Sequence, residues 1–366
     1  MKVLYVLTSI DRGELHSILG LKACGVEAAA VCHPGSERGQ VLADAGIPVH
    51  RLAFRSRRDS SAIARLRALI EATQPDIVHV FAKRTLSNTL VALKGLPPRL
   101  VAYRGIVGNL NFLDPTSWMS FLHPRVDKII CVAEAIRQDL LSMRLLGLHI
   151  PPHKLVTIYK GHDIEWYARQ PKADLTELGI PAGSPVVGCV ANMRPRKGIP
   201  VLIEAFERLP FEWGAHLLLV GEVADPKIAR AVARSPVRDR IHLTGYRADA
   251  VSLTGAMDVS VLPTLRREGL PKSVIEAMAQ AVPVIVTDAG GSPELVEDGI
   301  SGRIVKAGSV DALVAALSEI LSDHERAARM GKAAQERIRQ HFNVEQTVRK
   351  TLAVYAELLA SGATAA

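Results

Sequence analysis

Short apolar runs alternate with amphipathic stretches along most of the chain. Lys2-Val-Leu-Tyr-Val-Leu-Thr8 shows no polar/apolar alternation, which is the pattern of a parallel strand buried on both faces. A turn through Asp11, Arg12 and Gly13 then leads into a helix expected from about Glu14 to Ala23. The unit repeats, predicting strands at 27–32, 49–52, 77–80, 100–103, 128–132 and 154–158, with helices near 37–45, 60–73, 84–93 and 134–142. Around 159–185 the pattern breaks at Lys160-Gly-His-Asp163 and a Pro- and Ala-containing stretch, which marks a domain junction. A second alternation predicts strands at 186–190, 216–220, 241–243, 259–262 and 283–287, with helices near 199–209, 226–234, 248–256, 271–281 and 310–321. The end of the chain reads as helix with a break near Phe342 and Asn343. Such alternation predicts an α/β fold with parallel sheets wrapped by helices on both faces. Ligands are then expected beyond the carboxyl ends of the strands.

The length of 366 residues fits roughly two domains, and a 48% apolar content is ample for two cores. The expected division is 1–165, 166–345, and a C-terminal helix and tail at 346–366 packing back on the first domain. Cys24, Cys32, Cys131 and Cys189 are scattered without a C-x-x-C pair, and read as buried thiols of a reducing compartment. The first apolar stretch is cut by Asp11 and Arg12 before it reaches signal-peptide form. No uncharged run approaches the roughly 20 residues needed to span a bilayer. A cytoplasmic location is expected, with attachment to the inner face of the membrane as an option.

Charge sharpens that option. The net charge is +8; residues 1–170 hold 22 Lys and Arg against 14 Asp and Glu, whereas the remainder holds 23 of each. Arg51, Arg55, Arg57, Arg58, Arg65 and Arg67 form the densest cluster, leading into a helical stripe of Ile63, Leu66, Leu69 and Ile70. Two readings stay open: a solvated helix face, or a surface drawn to anionic lipid headgroups or a phosphorylated glycan. Nucleic acid is disfavoured, because the basic residues are not interleaved with stacking aromatics. The long connection from Gly105 to Arg125, with Phe112, Trp118 and Phe121, is either a short helix over the sheet edge or a flap facing an acceptor or a membrane.

The candidate chemistry centres on Glu268-Gly-Leu-Pro-Lys-Ser-Val-Ile-Glu276, followed by Gly290-Gly-Ser-Pro-Glu294. One carboxylate sits on a loop and the second lies inside a helix that Pro271 suits as its first residue. The helix start offers unsatisfied N–H donors to an anion. Asn192-Met-Arg-Pro-Arg-Lys-Gly198 places three cations after a buried strand, where a diphosphate could be held. Neither G-x-G-x-x-G nor G-x-x-x-x-G-K-[ST] is present, which argues against dehydrogenases and P-loop NTPases, and no G-x-S-x-G suggests a serine hydrolase. His162, His216, His242 and His324 read as isolated residues without metal-site spacing.

The ordered set of Lys160-Gly-His-Asp163, Arg194-Pro-Arg-Lys-Gly198, Glu268-x7-Glu276 and Gly290-Gly-Ser-Pro-Glu294 resembles the family 4 retaining glycosyltransferases. The likeness is closest over 186–305, extending through Ala277-Met-Ala, Asp298-Gly and Ser301-Gly302, while the first half matches in element order and in Val132-Ala-Glu-Ala-Ile-Arg137. The resemblance implies the GT-B architecture, two Rossmann-like domains facing across a cleft, with the acceptor on the first domain and a nucleotide-diphosphate sugar on the second. It implies retention of anomeric configuration and no bound metal or other cofactor. It assigns the ribose hydroxyls to Glu276, the transferred sugar to Glu268, and the departing diphosphate to Arg196 and Lys197, with Arg194 and Asn192 nearby. Gly269, Leu270 and Pro271 would lie against sugar and phosphate, Gly245, Tyr246 and Arg247 would border the base, and Gly13 would face the donor. Arg104 and Trp118 are candidates on the acceptor side.

The chain departs from the family pattern at Asn192, where many members carry Arg, at Arg104, where many carry His, and at Ala281, where many carry Gly. The implied activity is transfer of a hexose to a lipid-linked or saccharide acceptor, such as a lipopolysaccharide or exopolysaccharide precursor. A sugar-nucleotide epimerase or phosphorylase on the same fold, and a non-catalytic glycan- or membrane-binding protein, are the alternatives.

Overall fold

The computed structural model describes residues 1–363, which divide into two compact units. The first consists of Met1–Asp163 together with the chain from Phe342 onward, and the second of Ile164–His341.

The first unit is built on β1 Lys2–Val6, β2 Glu27–Cys32, β3 Val49–Arg51, β4 Ile77–Val80, β5 Arg99–Arg104, β6 Lys128–Cys131 and β7 Leu155–Thr157. These form one parallel sheet in the order β3-β2-β1-β4-β5-β6-β7. The order reverses between β1 and β4, which opens a crevice at their carboxyl ends. The helix Arg12–Ala23 starts two residues earlier than expected, because Asp11 and Glu14 form a reciprocal capping box. Gly13 thus sits in the first helical turn instead of a loop.

The second unit carries β8 Val186–Val190, β9 His216–Val220, β10 Ile241–Gly245, β11 Val259–Leu262, β12 Val284–Thr287 and β13 Arg303–Val305. They pair in parallel in the order β10-β9-β8-β11-β12-β13, with the reversal between β8 and β11. Their apolar runs are buried on both faces: Leu217, Leu218 and Leu219 of β9 have no exposed surface. Strand β13 and the short helices Ile164–Ala168 and Ser292–Leu295 were not apparent in the sequence pattern.

The terminal helix Val344–Ala363 contributes Val348, Val354, Tyr355 and Leu358 to the core of the first unit. That unit recovers the chain at Phe342, not at 346, because Phe342 is buried, packs on Tyr159 at 4.9 Å between ring centres, and accepts the His162 N–H at 2.9 Å. The first boundary accordingly falls after Asp163 and not after residue 165.

Two further expectations need correction. Cys24 is exposed at the end of its helix, while the other three cysteines are buried. His216 and His242 are not isolated: adjacent strands bring His216 Nδ1 within 2.9 Å of His242 Nε2, with the rings stacked.

Two stability predictions arise from the cores. Ala281 holds a left-handed φ of +57, and its carbonyl would lie 1.9 Å from a Cβ added at Gly331. A side chain in that conformation costs about 1–2 kcal/mol, part of which glycine returns as unfolded-chain entropy. Ala281→Gly should therefore raise the melting temperature of the second unit by roughly 1–4 °C, read by scanning calorimetry.

His79, on β4, is buried with Nδ1 2.7 Å from the Tyr355 hydroxyl, and burial pushes its pKa down to about 3. Between that value and the ordinary histidine pKa of about 6.5, the unfolded chain binds a proton that the folded chain refuses. Stability from this group is complete above the unfolded pKa and is lost as pH falls towards 3, at about 1.4 kcal/mol per pH unit. His79→Gln should reduce the drop in melting temperature between pH 7.5 and pH 5, whatever its effect at neutral pH.

Candidate active site

The loops that leave β8 and β11 flank the reversal point of the second sheet, and they carry the charged motifs. After β8 the chain is anchored at Met193, whose N–H donates to Glu222 O at 2.9 Å and whose carbonyl accepts from Ala224 N at 3.2 Å. Asn192 contributes a carbonyl that accepts the Arg194 N–H at 2.8 Å, and Arg194 stands exposed before the single 3-10 turn Pro195–Lys197. Gly198 ends that turn at φ +67. A Cβ there would come 2.1 Å from Pro263 O, so only glycine lets the two loops approach this closely. The approach is secured by the Leu265 N–H, which donates to Arg196 O at 2.8 Å.

This joining brings opposite charges together. Glu268, only 8% exposed, accepts on Oε2 from Lys197 Nζ at 2.6 Å and from Thr264 Oγ1 at 2.8 Å. Arg196 Nη1 lies 3.8 Å from the same oxygen and 3.4 Å from Arg267 O. Arg267 itself takes φ +60, a costly conformation for a side-chain-bearing residue. Strained backbone beside a buried ion pair is a common mark of a functional centre.

The Gly-Gly-Ser-Pro-Glu motif supports this carboxylate from behind. Gly290 has φ +62, and a Cβ there would lie 2.2 Å from Glu268 O. The Gly291 N–H donates to that carbonyl at 3.3 Å. The motif thus fixes the backbone of Glu268, while Lys197 and Thr264 fix its side chain.

Gly269 and Leu270 lead from Glu268 to the helix Lys272–Ala279, in which Pro271 occupies the N-cap, one position before the place expected. No side chain caps this helix and its first turn holds no acidic residue, so its leading N–H groups and positive end favour an anion. Glu276, 6% exposed, is held by Lys272 Nζ at 2.8 Å one turn away. Sequence reasoning missed the parts played by Thr264, which belongs to no motif, and by Lys272, which lies inside the Glu268–Glu276 stretch but was given no role there. Both act by orienting a motif carboxylate.

At the end of β10, Gly245 has φ +69 and accepts the Gly221 N–H at 2.8 Å. Tyr246 is 82% exposed, and Arg247 makes paired bonds to Asp249 at 2.8 and 2.7 Å. Arg247 is therefore braced by a carboxylate that the sequence pattern did not single out.

In the first unit, Gly13 is pressed against Gly161, whose carbonyl would lie 2.6 Å from an added Cβ. Beside it Lys160 pairs with Asp11 and, at 3.1 Å, with Glu14. The Lys160-Gly-His-Asp163 turn is thereby tied to the capping box at the carboxyl end of β1. Arg104 is 3% exposed; its guanidinium lies 4.8 Å over the Phe121 ring and donates to Gly108 O. Burial lowers its pKa to about 10. Trp118, on the four-residue helix Pro115–Trp118, donates its indole N–H to Phe112 O at 2.8 Å. The long connection thus contains a short helix. Among the described residues, no group of three or more His, Cys, Asp or Glu side chains could hold a metal ion. No described helix is long and apolar enough to cross a membrane.

Residues 184–323 match the model "Glycosyl transferases group 1", and residues 17–166 match "Glycosyltransferase Family 4". The chain is 30% identical to a lipopolysaccharide core biosynthesis mannosyltransferase of Rhizobium meliloti, over 67% of this chain and 69% of that protein. It is 26% identical to a lipopolysaccharide core biosynthesis glycosyltransferase of the same organism, over 96% and 95% of the two chains. The fold aligns with the Anabaena protein HepE, solved with UDP-glucose, at a TM-score of 0.77 and 21% identity over 99% and 100% of the two chains. One glycosyltransferase model covers most of the first unit and another most of the second, and the chain belongs to the family 4 glycosyltransferases of the GT-B architecture.

Proposed function

We propose that this glycosyltransferase moves a hexose from a nucleotide-diphosphate sugar to a saccharide or lipid-linked acceptor in cell-envelope glycan assembly, with retention of configuration. The observation that carries the donor reading is the Lys197–Glu268 pair, whose carboxylate is buried, with Arg196 beside it and an uncapped helix N-terminus following. The two lipopolysaccharide core relatives support the envelope acceptor. The UDP-glucose of the fold neighbour supports the donor class.

In this reading Lys197 and Arg196 neutralise the departing diphosphate, and the free N–H groups after Pro271 cradle it, so positive charge is supplied without a resident metal. Glu276 takes the ribose hydroxyls and Glu268 the hydroxyls of the transferred sugar. The bond from the anomeric carbon to the phosphate oxygen breaks while the bond to the acceptor oxygen forms on the same face. The acceptor proton passes to the leaving diphosphate. Residues Gly245 to Arg247 border the base. The protein works at the cytoplasmic face of the membrane, drawn there by the basic first unit.

A panel of UDP-, GDP- and ADP-hexoses, incubated with deacylated envelope oligosaccharides and followed by mass spectrometry, tests the proposal. A product one hexose heavier, formed with one donor class, is the expected result. Isomerisation of the donor sugar without acceptor would favour an epimerase, and no turnover of any donor would favour a binding protein.

A further inference from the structure

Among the described residues the most exposed large apolar side chain is Leu146, at 97%. It stands at the tip of a hairpin between the helix Glu134–Ser142 and β7. Leu145 and Leu148 pair antiparallel there: the Leu148 N–H donates to Leu145 O at 2.8 Å, and the Leu145 N–H to Leu148 O at 3.2 Å. The two residues between them, Leu146 and Gly147, take φ +48 and +82. Positive φ at both positions marks a type I′ turn, which Asn-Gly fills without strain and leucine does not. The fold thus holds a leucine in a costly backbone conformation where its side chain packs on almost nothing in the chain. Leu148 beside it is also exposed, and Leu141, Met143 and Leu145 are half-buried.

The charge around this tip has one sign. From residue 140 to 162 the chain carries no Asp or Glu, while Arg144 and Lys154 flank the turn together with His149 and His153. Arg144 is exposed and turns back on the helix end, donating to Leu141 O at 2.6 Å and Met143 O at 3.0 Å. Lys154 Nζ donates to the carbonyls of Pro124 and Val126 at 2.9 and 2.8 Å. Asp127, the carboxylate whose field reaches Lys154, is shared with Arg99 and Arg125 at 3.1 and 2.8 Å, so positive charge stays in excess. A few aliphatic side chains on a narrow turn are small for a stable protein interface, which buries roughly 800 Å² per partner and favours aromatic anchors. An apolar tip flanked by cations matches the boundary of an anionic bilayer, with acyl chains for the leucines and phosphates for the cations.

We infer that the hairpin 143–149 is a membrane-docking element, whose leucines enter an anionic bilayer while Arg144 and Lys154 meet the lipid phosphates. The hairpin follows a helix that leaves the carboxyl end of β6 and it leads into the start of β7, so it lies at the amino end of the sheet. The ligand-facing crevice between β1 and β4 opens at the other end. Docking and sugar transfer are therefore separable. The inference rests on the membrane location proposed above and deepens it by naming the contact and the lipid charge.

The test is co-sedimentation of the full chain with phosphatidylcholine vesicles and with mixed phosphatidylglycerol–phosphatidylcholine vesicles. The wild type should pellet with the mixed vesicles and not with phosphatidylcholine alone, and less so as salt is raised. Leu146→Asn suits the turn, so it should melt no lower than the wild type yet bind the mixed vesicles about tenfold or more weakly. Leu146→Trp should bind like the wild type, and its added fluorescence should shift to the blue on the mixed vesicles. Transfer to a deacylated, water-soluble acceptor should be equal in all three proteins. Equal vesicle binding by the wild type and Leu146→Asn would overturn the inference and leave the membrane location standing on other basic surface. A dimer in sedimentation equilibrium that Leu146→Asn dissolves, with vesicle binding unchanged, would overturn it in favour of a second copy of the chain. Absence of vesicle binding by the wild type would overturn both the inference and the membrane location. Failure of transfer with vesicle binding intact would strike the transfer reading and leave the docking element standing.

Discussion

Replacing Glu268 by Gln should lower kcat for sugar transfer by about 10²–10³-fold while the donor KM changes much less. Gln is isosteric and can still accept from Thr264, so the loop keeps its place. What it loses is the charge that holds Lys197 at 2.6 Å and aligns it with Arg196. Glu268→Ala should be as inactive and also fold near normally, because the Gly198–Pro263 approach and the Leu265 to Arg196 bond hold the loops without the side chain. Lys197→Met should cost a similar factor, and the double variant little more than the worse single one, since the two groups act as a unit. Initial rates on the four proteins, with circular dichroism to confirm folding, check this. Full activity in Glu268→Ala would remove the carboxylate from the mechanism.

Gly290→Ala should damage the same centre without touching any charge. The new Cβ would meet Glu268 O at 2.2 Å and Glu268 N and C at 2.9 Å, all backbone atoms that cannot swing aside. Left-handed strain adds about 1–2 kcal/mol. Together these should destabilise the second unit by about 2–4 kcal/mol, lower its melting temperature by roughly 5–15 °C, and shift Glu268 enough to abolish most transfer. Gly299→Ala is the control: its φ is +77 with no atom within 4 Å of the added Cβ, so it carries the strain without the collision. If the two variants melt and turn over alike, Gly290 serves only its turn.

The strands were legible because buried parallel strands are nearly continuous apolar runs. Strands β8, β9 and β11 are read from Val186–Val190, His216–Val220 and Val259–Leu262 without adjustment. Strand β13 was not, because Arg303-Ile-Val305 is only three residues long and begins with a charge. At the site, the sequence showed which charges existed but not which would meet. Lys197 and Glu268 are 71 residues apart, and their contact depends on two loops allowed together by the bare Cα of Gly198. Gly13 shows the converse limit. It resembles a ligand-facing glycine in sequence, yet its lack of a side chain is already required by the carbonyl of Gly161. The His216–His242 pair was hidden because it depends on the register of β9 and β10, which no single run reveals.

The most direct test of the donor reading is a calorimetric titration of UDP-, GDP- and ADP-hexoses into the wild-type chain and into Lys197→Met. One nucleotide class should bind the wild type, and the variant should bind it about tenfold or more weakly, because the diphosphate has lost a partly buried cation. Absence of binding by every donor, or equal binding to both proteins, would contradict the assignment of Lys197, Arg196 and Glu268 to a nucleotide-sugar site.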